Sequence, residues 1–211
     1  MKKILILLLT NIFIFTLCAQ QKFELTSPDG FLRSTIKSGE QLTYNIMYGA
    51  HQILIWGEIC KLKSCKKMEV NQLVPSPFYR TTAMGHHYNE LTLDFRGDYS
   101  VEFRAYNDGI AYRFVNKKRD AFQVVSEQVE YHFSCDEEVI VPYVRKENDC
   151  SWEEQFFNSF ENVYSTTKLS EINKTRLMFL PLIVNVDKSF KVCIKESHLE
   201  DYPGLYLSNK E

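Results

Sequence analysis

Acidic pairs stand at Glu137-Glu138 and Glu153-Glu154, and adjacent histidines at His86-His87. Acid–base cleavage of a glycosidic bond needs two carboxyl groups held at a set separation on either side of that bond. Sequence neighbours fix no such separation, so these acids read first as solvated charge. Metal chemistry needs imidazoles that converge on one ion, whereas successive residues of a strand point to opposite faces. The two histidines therefore read as a polar loop after Ala83-Met84-Gly85. Cys60 and Cys65, with Lys61, Lys63, Lys66 and Lys67 around them, read either as a small disulfide loop or as two thiols near a turn, and no histidine lies at zinc-ligand spacing from them. A glycine-rich phosphate loop, a His-Glu-x-x-His pair and a Gly-x-Ser-x-Gly elbow are all absent from the sequence. No self-contained active site is expected.

The elements that would position any such groups are strands. Leu42, Tyr44, Ile46 and Tyr48 alternate with Thr43, Asn45 and Met47, a period of two that puts the first set on one buried face. The same alternation recurs at Leu91-Leu93-Phe95, Val101-Phe103-Ala105, Ile110-Tyr112-Phe114 and Val129-Tyr131-Phe133. Ser27-Pro28-Asp29-Gly30, Ser38-Gly39, Arg96-Gly97-Asp98 and Asn107-Asp108-Gly109 separate such runs, with glycines free to take the positive φ of tight turns. Leu177 to Val184 and Phe190 to Ile194 read as two further strands, and Pro181 marks the first as an edge or a bulge. No amphipathic run is long enough for a major helix. Ser151 to Phe157 reads as a short turn N-capped by Ser151. This pattern predicts an all-β, antiparallel sandwich.

Composition bounds the rest. The chain has 211 residues, 45% hydrophobic and 25% charged, enough to bury a core in one domain but short for a (β/α)8 barrel, which takes roughly 250 residues alone. A formal charge of −2 leaves no basic footprint for nucleic acid. Lys2 and Lys3, the apolar run Ile4 to Leu17 and the small residues at Cys18-Ala19 read as a secretory signal peptide over residues 1–20, cleaved near Ala19 or Gln20. Lipid attachment at Cys18 is disfavoured by Leu17, which stands where a small residue is expected. The apolar run is too short to span a bilayer, which takes about 20 residues. Cleavage lowers Lys+Arg from 25 to 23 against 27 Asp+Glu, so the exported, periplasmic chain carries −4 and no membrane span. Of six cysteines, Cys60, Cys65, Cys135, Cys150 and Cys193 remain, an odd number that leaves at least one without a partner in the chain.

Two longer motifs carry a family resemblance. Phe103 to Phe114, with Tyr106-Asn107-Asp108-Gly109 at its centre, resembles the signature hairpin of the amino-terminal domain of glycoside hydrolase family 97. Ile194-Lys195-Glu196-Ser197-His198-Leu199-Glu200-Asp201-Tyr202-Pro203-Gly204 is similar to that family's Thr-Glu-Ser-x-Leu-x-Asp-Tyr-Pro-Gly run, Lys195 departing from it. Ser27-Pro28-Asp29-Gly30 and Leu180-Pro181-Leu182 fall in register, so the resemblance covers residues 22–208. It implies a super-sandwich of the galactose-mutarotase-like kind over residues 21–211, incomplete at its C-terminus, which precedes a catalytic barrel in calcium-dependent α-glucosidases and α-galactosidases. It also implies that Glu196 is the one calcium ligand this domain lends, with no catalytic residue and the other ligands in the barrel.

Two functional expectations follow. The first is a non-catalytic domain of an exported α-glycosidase, supporting the barrel that acts on oligosaccharides and completing its Ca2+ site. The second is a free-standing carbohydrate-binding sandwich, in which Tyr106, Tyr112 or Trp152 would stack on sugar rings. For Arg104 and Arg113 the expected role is pairing with acids across strands.

Overall fold

The computed structural model describes residues 20–39, 41–48, 51–58, 61–76, 82–121, 123–124, 129–145, 150–157, 161–199 and 202–209, with β4 described by its backbone alone. Residues 1–19 and Cys60 lie outside the described residues, so the readings of a signal peptide and of a Cys60–Cys65 loop lie outside too. The strands are β1 (Gln21–Thr26), β2 (Leu32–Ser38), β3 (Gln41–Tyr48), β4 (His51–Glu58), β5 (Leu62–Pro75), β6 (Ala83–Phe95), β7 (Tyr99–Ala105), β8 (Ile110–Asn116), β9 (Glu130–Phe133), β10 (Glu138–Val141), β11 (Ser165–Lys168), β12 (Leu182–Asn185) and β13 (Lys191–Ile194). Among the described residues the helical segments are short 3₁₀ turns at Glu153–Phe157 and Leu169–Glu171. None is long and apolar enough to cross a membrane. The all-β, antiparallel sandwich expected from the alternation is what forms, in three sheets ordered β1-β2-β3-β4-β9, β5-β6-β7-β8 and β11-β10-β12-β13.

The chain divides into two compact units, Met1–Gly49 with Leu54–Tyr131, and Ala50–Ile53 with His132–Glu211. In the first, alternation does the folding. Leu91, Leu93 and Phe95 of β6 and Val101, Phe103 and Ala105 of β7 are all buried, facing Leu25, Leu32, Ile36, Leu42 and Tyr44 from β1, β2 and β3. The Tyr44 ring meets Phe103 edge-on at 5.1 Å and Tyr112 at 5.6 Å, and burial pushes its phenol well above the ordinary value. Polar ties close the margin of the sandwich, Lys67 Nζ donating to the Glu24 carbonyl at 2.6 Å and Asn89 Nδ2 to that of Thr26 at 2.8 Å. Ser34 is a buried hydroxyl on β2 that is satisfied by the Asn45 carbonyl at 2.7 Å.

Turn chemistry agrees in part with the expectation. Gly30 and Gly97 take φ of 77° and 106°, and Asp98 joins Gly97 in the left-handed region at 62°. Gly39 and Gly109 do not enter that region. The β7–β8 turn closes instead by the Tyr106 N–H on the Gly109 carbonyl at 2.8 Å, and Asn107 Oδ1 accepts the Asp29 N–H at 3.2 Å. The two motifs Ser27 to Gly30 and Asn107 to Gly109 thus meet at one end of this unit.

In the second unit Val139 and Val141 of β10, Leu182 and Val184 of β12 and Ile194 of β13 make the buried face, joined by Tyr143, Val144, Ile172, Leu177, Met178 and Leu207. The strand expected from Leu177 starts only at Leu182 and lies inside its sheet, between β10 and β13, rather than at an edge. Pro181 sits just before it, after a cis bond from Leu180, where its missing N–H removes nothing from the ladder. The residues before it bond elsewhere, Met178 exchanging both backbone bonds with Leu207 at 2.9 Å.

The Ser151 turn is capped reciprocally. Ser151 Oγ accepts the Glu154 N–H at 3.2 Å, and Glu154 accepts the Ser151 N–H at 2.6 Å, which also holds the Glu154 carboxyl below the usual range. One residue on, the buried Gln155 donates to the Thr175 carbonyl at 3.0 Å and accepts the Leu177 N–H at 2.8 Å. Gln155→Ala leaves the buried Leu177 N–H without this acceptor, at about 1–3 kcal/mol where no water replaces it. A urea titration of the variant is expected to show a loss of about 1–3 kcal/mol, and a loss under about 0.5 kcal/mol would remove Gln155 as an anchor.

Candidate functional site

Glu196 follows β13 by two residues. Ile194 is the last buried position of that strand, and Glu196 emerges half-buried beyond it. The segment after it turns back, with His198 in the left-handed region at φ 60°. Leu207 then fastens the returning chain to Met178. This return brings the Leu205 N–H to Glu196 Oε2 at 2.7 Å, a charge-assisted bond to a backbone donor. A Cβ added to Gly204 would lie 3.8 Å from the same oxygen, so the carboxylate rests over a residue with no side chain. Among the described residues no further hydrogen bond reaches this carboxylate, and Oε1 is left as the available donor atom.

Calcium takes six to eight oxygen ligands. Among the described residues no cluster of three or more His, Cys, Asp or Glu side chains stands together in a metal-holding arrangement. Glu196 therefore fits calcium as one pre-oriented carboxylate donor to a set completed from outside these residues, and not as the core of a site.

The other sequence candidates serve the fold. His86 and His87 lie on β6, and His87 Nε2 meets Glu69 Oε1 of β5 at 2.9 Å on the exposed surface. Glu138 accepts from Asn185 Nδ2 at 2.6 Å, and Glu154 caps its turn. Tyr112 packs on Tyr44, Phe103 and Phe114, and Tyr106 lies 5.0 Å from Tyr88. Trp152 is half-buried. Cys65, Cys135, Cys150 and Cys193 are free thiols, Cys65 exposed on β5 rather than beside a turn.

Arg113 pairs with Glu102 at 2.7 Å, and Arg104 with Glu90 at 2.8 Å, as cross-strand pairing predicts. The Arg104 guanidinium also lies 4.7 Å over the Tyr88 ring. Glu90 escaped the sequence reading. Its neighbours Asn89 and Leu91 gave no sign that this carboxylate would be buried.

Residues 25–211 match the family model described as Glycosyl-hydrolase 97 N-terminal, so the chain belongs to the N-terminal domain family of glycoside hydrolase family 97. It is similar to the retaining alpha-galactosidase of Bacteroides thetaiotaomicron, with 50% identity over 224 residues, all of this chain and 34% of that protein. Its fold is shared by a glycoside hydrolase family 97 enzyme of Pseudoalteromonas sp. strain K8, at 18% identity over 89% of this chain and 30% of that one. The TM-score is 0.69 for one variant and 0.68 for the acarbose complex. The chain spans about a third of the length of these relatives.

Proposed function

We propose that this chain is the non-catalytic N-terminal domain of an exported, periplasmic α-glycosidase of the α-glucosidase or α-galactosidase type, and that it supports the catalytic barrel and lends Glu196 to a calcium ion. The observation that carries this reading is the Glu196 carboxylate, fixed by the Leu205 N–H just beyond β13 with its second oxygen available. Glu196 would hold a calcium ion whose positive charge would be available to offset negative charge developing on an oxygen during bond cleavage. The part played by this chain is to hold one anionic ligand in place before the ion binds, which lowers the ordering cost of the complete site. Support for an oligosaccharide as substrate comes from the relatives, one named as an alpha-galactosidase and another in complex with acarbose. For the free-standing carbohydrate-binding alternative, Tyr112 is only half-buried and its ring packs against Tyr44 and Phe103.

The isolated 211-residue chain is expected to give no turnover of aryl α-glucosides or α-galactosides beyond a Glu196→Ala control. Hydrolysis by the wild-type chain above that control contradicts a non-catalytic role.

A further inference from the structure

The turn at Glu153–Phe157 is braced far more firmly than its length requires. Ser151 and Glu154 cap it reciprocally, and the Gln155 amide is bonded at both ends to backbone, to the Thr175 carbonyl and the buried Leu177 N–H. What this bracing presents is Phe157, at 88% exposure, beside Phe156 at 43%. A large aromatic ring held in water by a rigid mount is costly in a monomer and useful at an interface. Phe156 continues the apolar surface inward, its ring meeting Tyr206 edge-on at 4.9 Å, and Tyr206 lies 5.1 Å from Phe179. Tyr206 directly follows Leu205, whose N–H holds Glu196. The aromatic row and the donor carboxylate therefore share one stretch of backbone.

We infer that Phe156, Phe157, Phe179 and Tyr206 form the docking face for the domain that follows this one in the longer relatives. The inference rests on the reading proposed above for the partner and adds the face that meets it. The family model is of an N-terminal domain, and the relatives are about three times as long, so most of their chain comes after the part matched here. Tyr206 is held in this face between Leu205, whose N–H bonds Glu196, and Leu207, which is fastened to Met178.

The test uses the 211-residue chain and, as a separate polypeptide, the part of the Bacteroides alpha-galactosidase outside its matching third, mixed in calcium-free buffer and followed by sedimentation and calorimetry. The expected result is a one-to-one complex in the micromolar range or tighter. Phe157→Asp is expected to weaken it at least about tenfold with an unchanged circular dichroism spectrum, and the uncharged Phe157→Ser gives the same direction should the aspartate disturb folding. Phe31→Asp, 71% exposed in the other unit, and Glu196→Gln are both expected to bind as wild type. Absence of a complex with the wild-type chain, self-association of the chain through Phe157 in its place, wild-type affinity in both Phe157 variants, or an equal loss in Phe31→Asp overturns the proposal. A loss at Phe157 together with a calcium response indifferent to Glu196 keeps the docking face and removes the calcium role. The reverse pair of results does the opposite.

Discussion

Phe103→Ala is expected to remove about 3–5 kcal/mol of stability, the usual range for deleting a wholly buried ring from a packed core. Phe103 has no exposed surface, stands at the middle of β7 opposite Leu91 and Tyr112, and lies 5.1 Å from Tyr44 across the sandwich. It is thus one of the residues at which the two sheets of the first unit touch, beside the Tyr44–Tyr112 contact at 5.6 Å. Domain stabilities run from about 5 to 15 kcal/mol, so the loss is a large fraction of the total. Phe103→Leu, which retains most of the volume, is expected to cost roughly 1.5 kcal/mol or a little more. Urea denaturation measures both, and a Phe103→Ala loss below about 1 kcal/mol would mean that the two sheets do not pack through this ring.

The second large effect is expected at Arg104. Its partner Glu90 retains 10% exposure of its side chain, against 30% for Arg104 itself, so the acid is the buried member of the pair. Arg104→Met keeps the apolar stem over Tyr88 and removes the charge. Breaking a fully buried pair from one side costs about 3–5 kcal/mol because an ionised group is left without compensation, and the partial exposure here lowers the expectation to about 2–3 kcal/mol. Glu90→Gln added to Arg104→Met is expected to recover most of that loss, since the uncompensated charge is then gone. The comparison separates electrostatics from packing: an equal loss in the single and the double variant would assign the whole effect to Arg104 contacts with Tyr88 and Glu102.

What was legible in the sequence follows from which residues face the core. β6, β7 and β8 carry Leu, Phe, Val, Ala, Ile and Tyr at every second position, and their alternation was read directly. In β2 the buried positions are Leu32, Ser34, Ile36 and Ser38, so half of the inward face is hydroxyl and the period is masked. β5 shows almost no alternation because it is an edge strand with Lys63, Ser64, Cys65, Lys66 and Lys67 in water, and its register is supplied by β6. Lysines on an exposed edge also discourage pairing with another chain. Pro181 was read as an edge or bulge inside a strand from Leu177, whereas the strand begins after it and lies inside its sheet. Glu196 was reached through the motif around it. No periodicity could have revealed the Leu205 N–H that orients it, which arrives nine residues later by way of Gly204 and the Leu207 bridge. The Ser151 turn was visible from its cap, whereas the exposure of Phe157 depends on Gln155 finding Thr175 and Leu177, more than 20 residues away on average and invisible to local pattern.

The central claim is that this domain acts on catalysis through one calcium ligand. The most direct measurement is a calcium titration of glycosidase activity in a fusion of this chain to the remaining part of the Bacteroides relative, with and without Glu196→Gln. Loss of one anionic oxygen weakens the ion's binding while leaving the barrel's own carboxyl groups untouched, so the variant is expected to need at least about tenfold more calcium for half-activity and to regain activity at saturating calcium. Identical titration curves for the two fusions, or a loss of stability and activity that no calcium concentration restores, would contradict it.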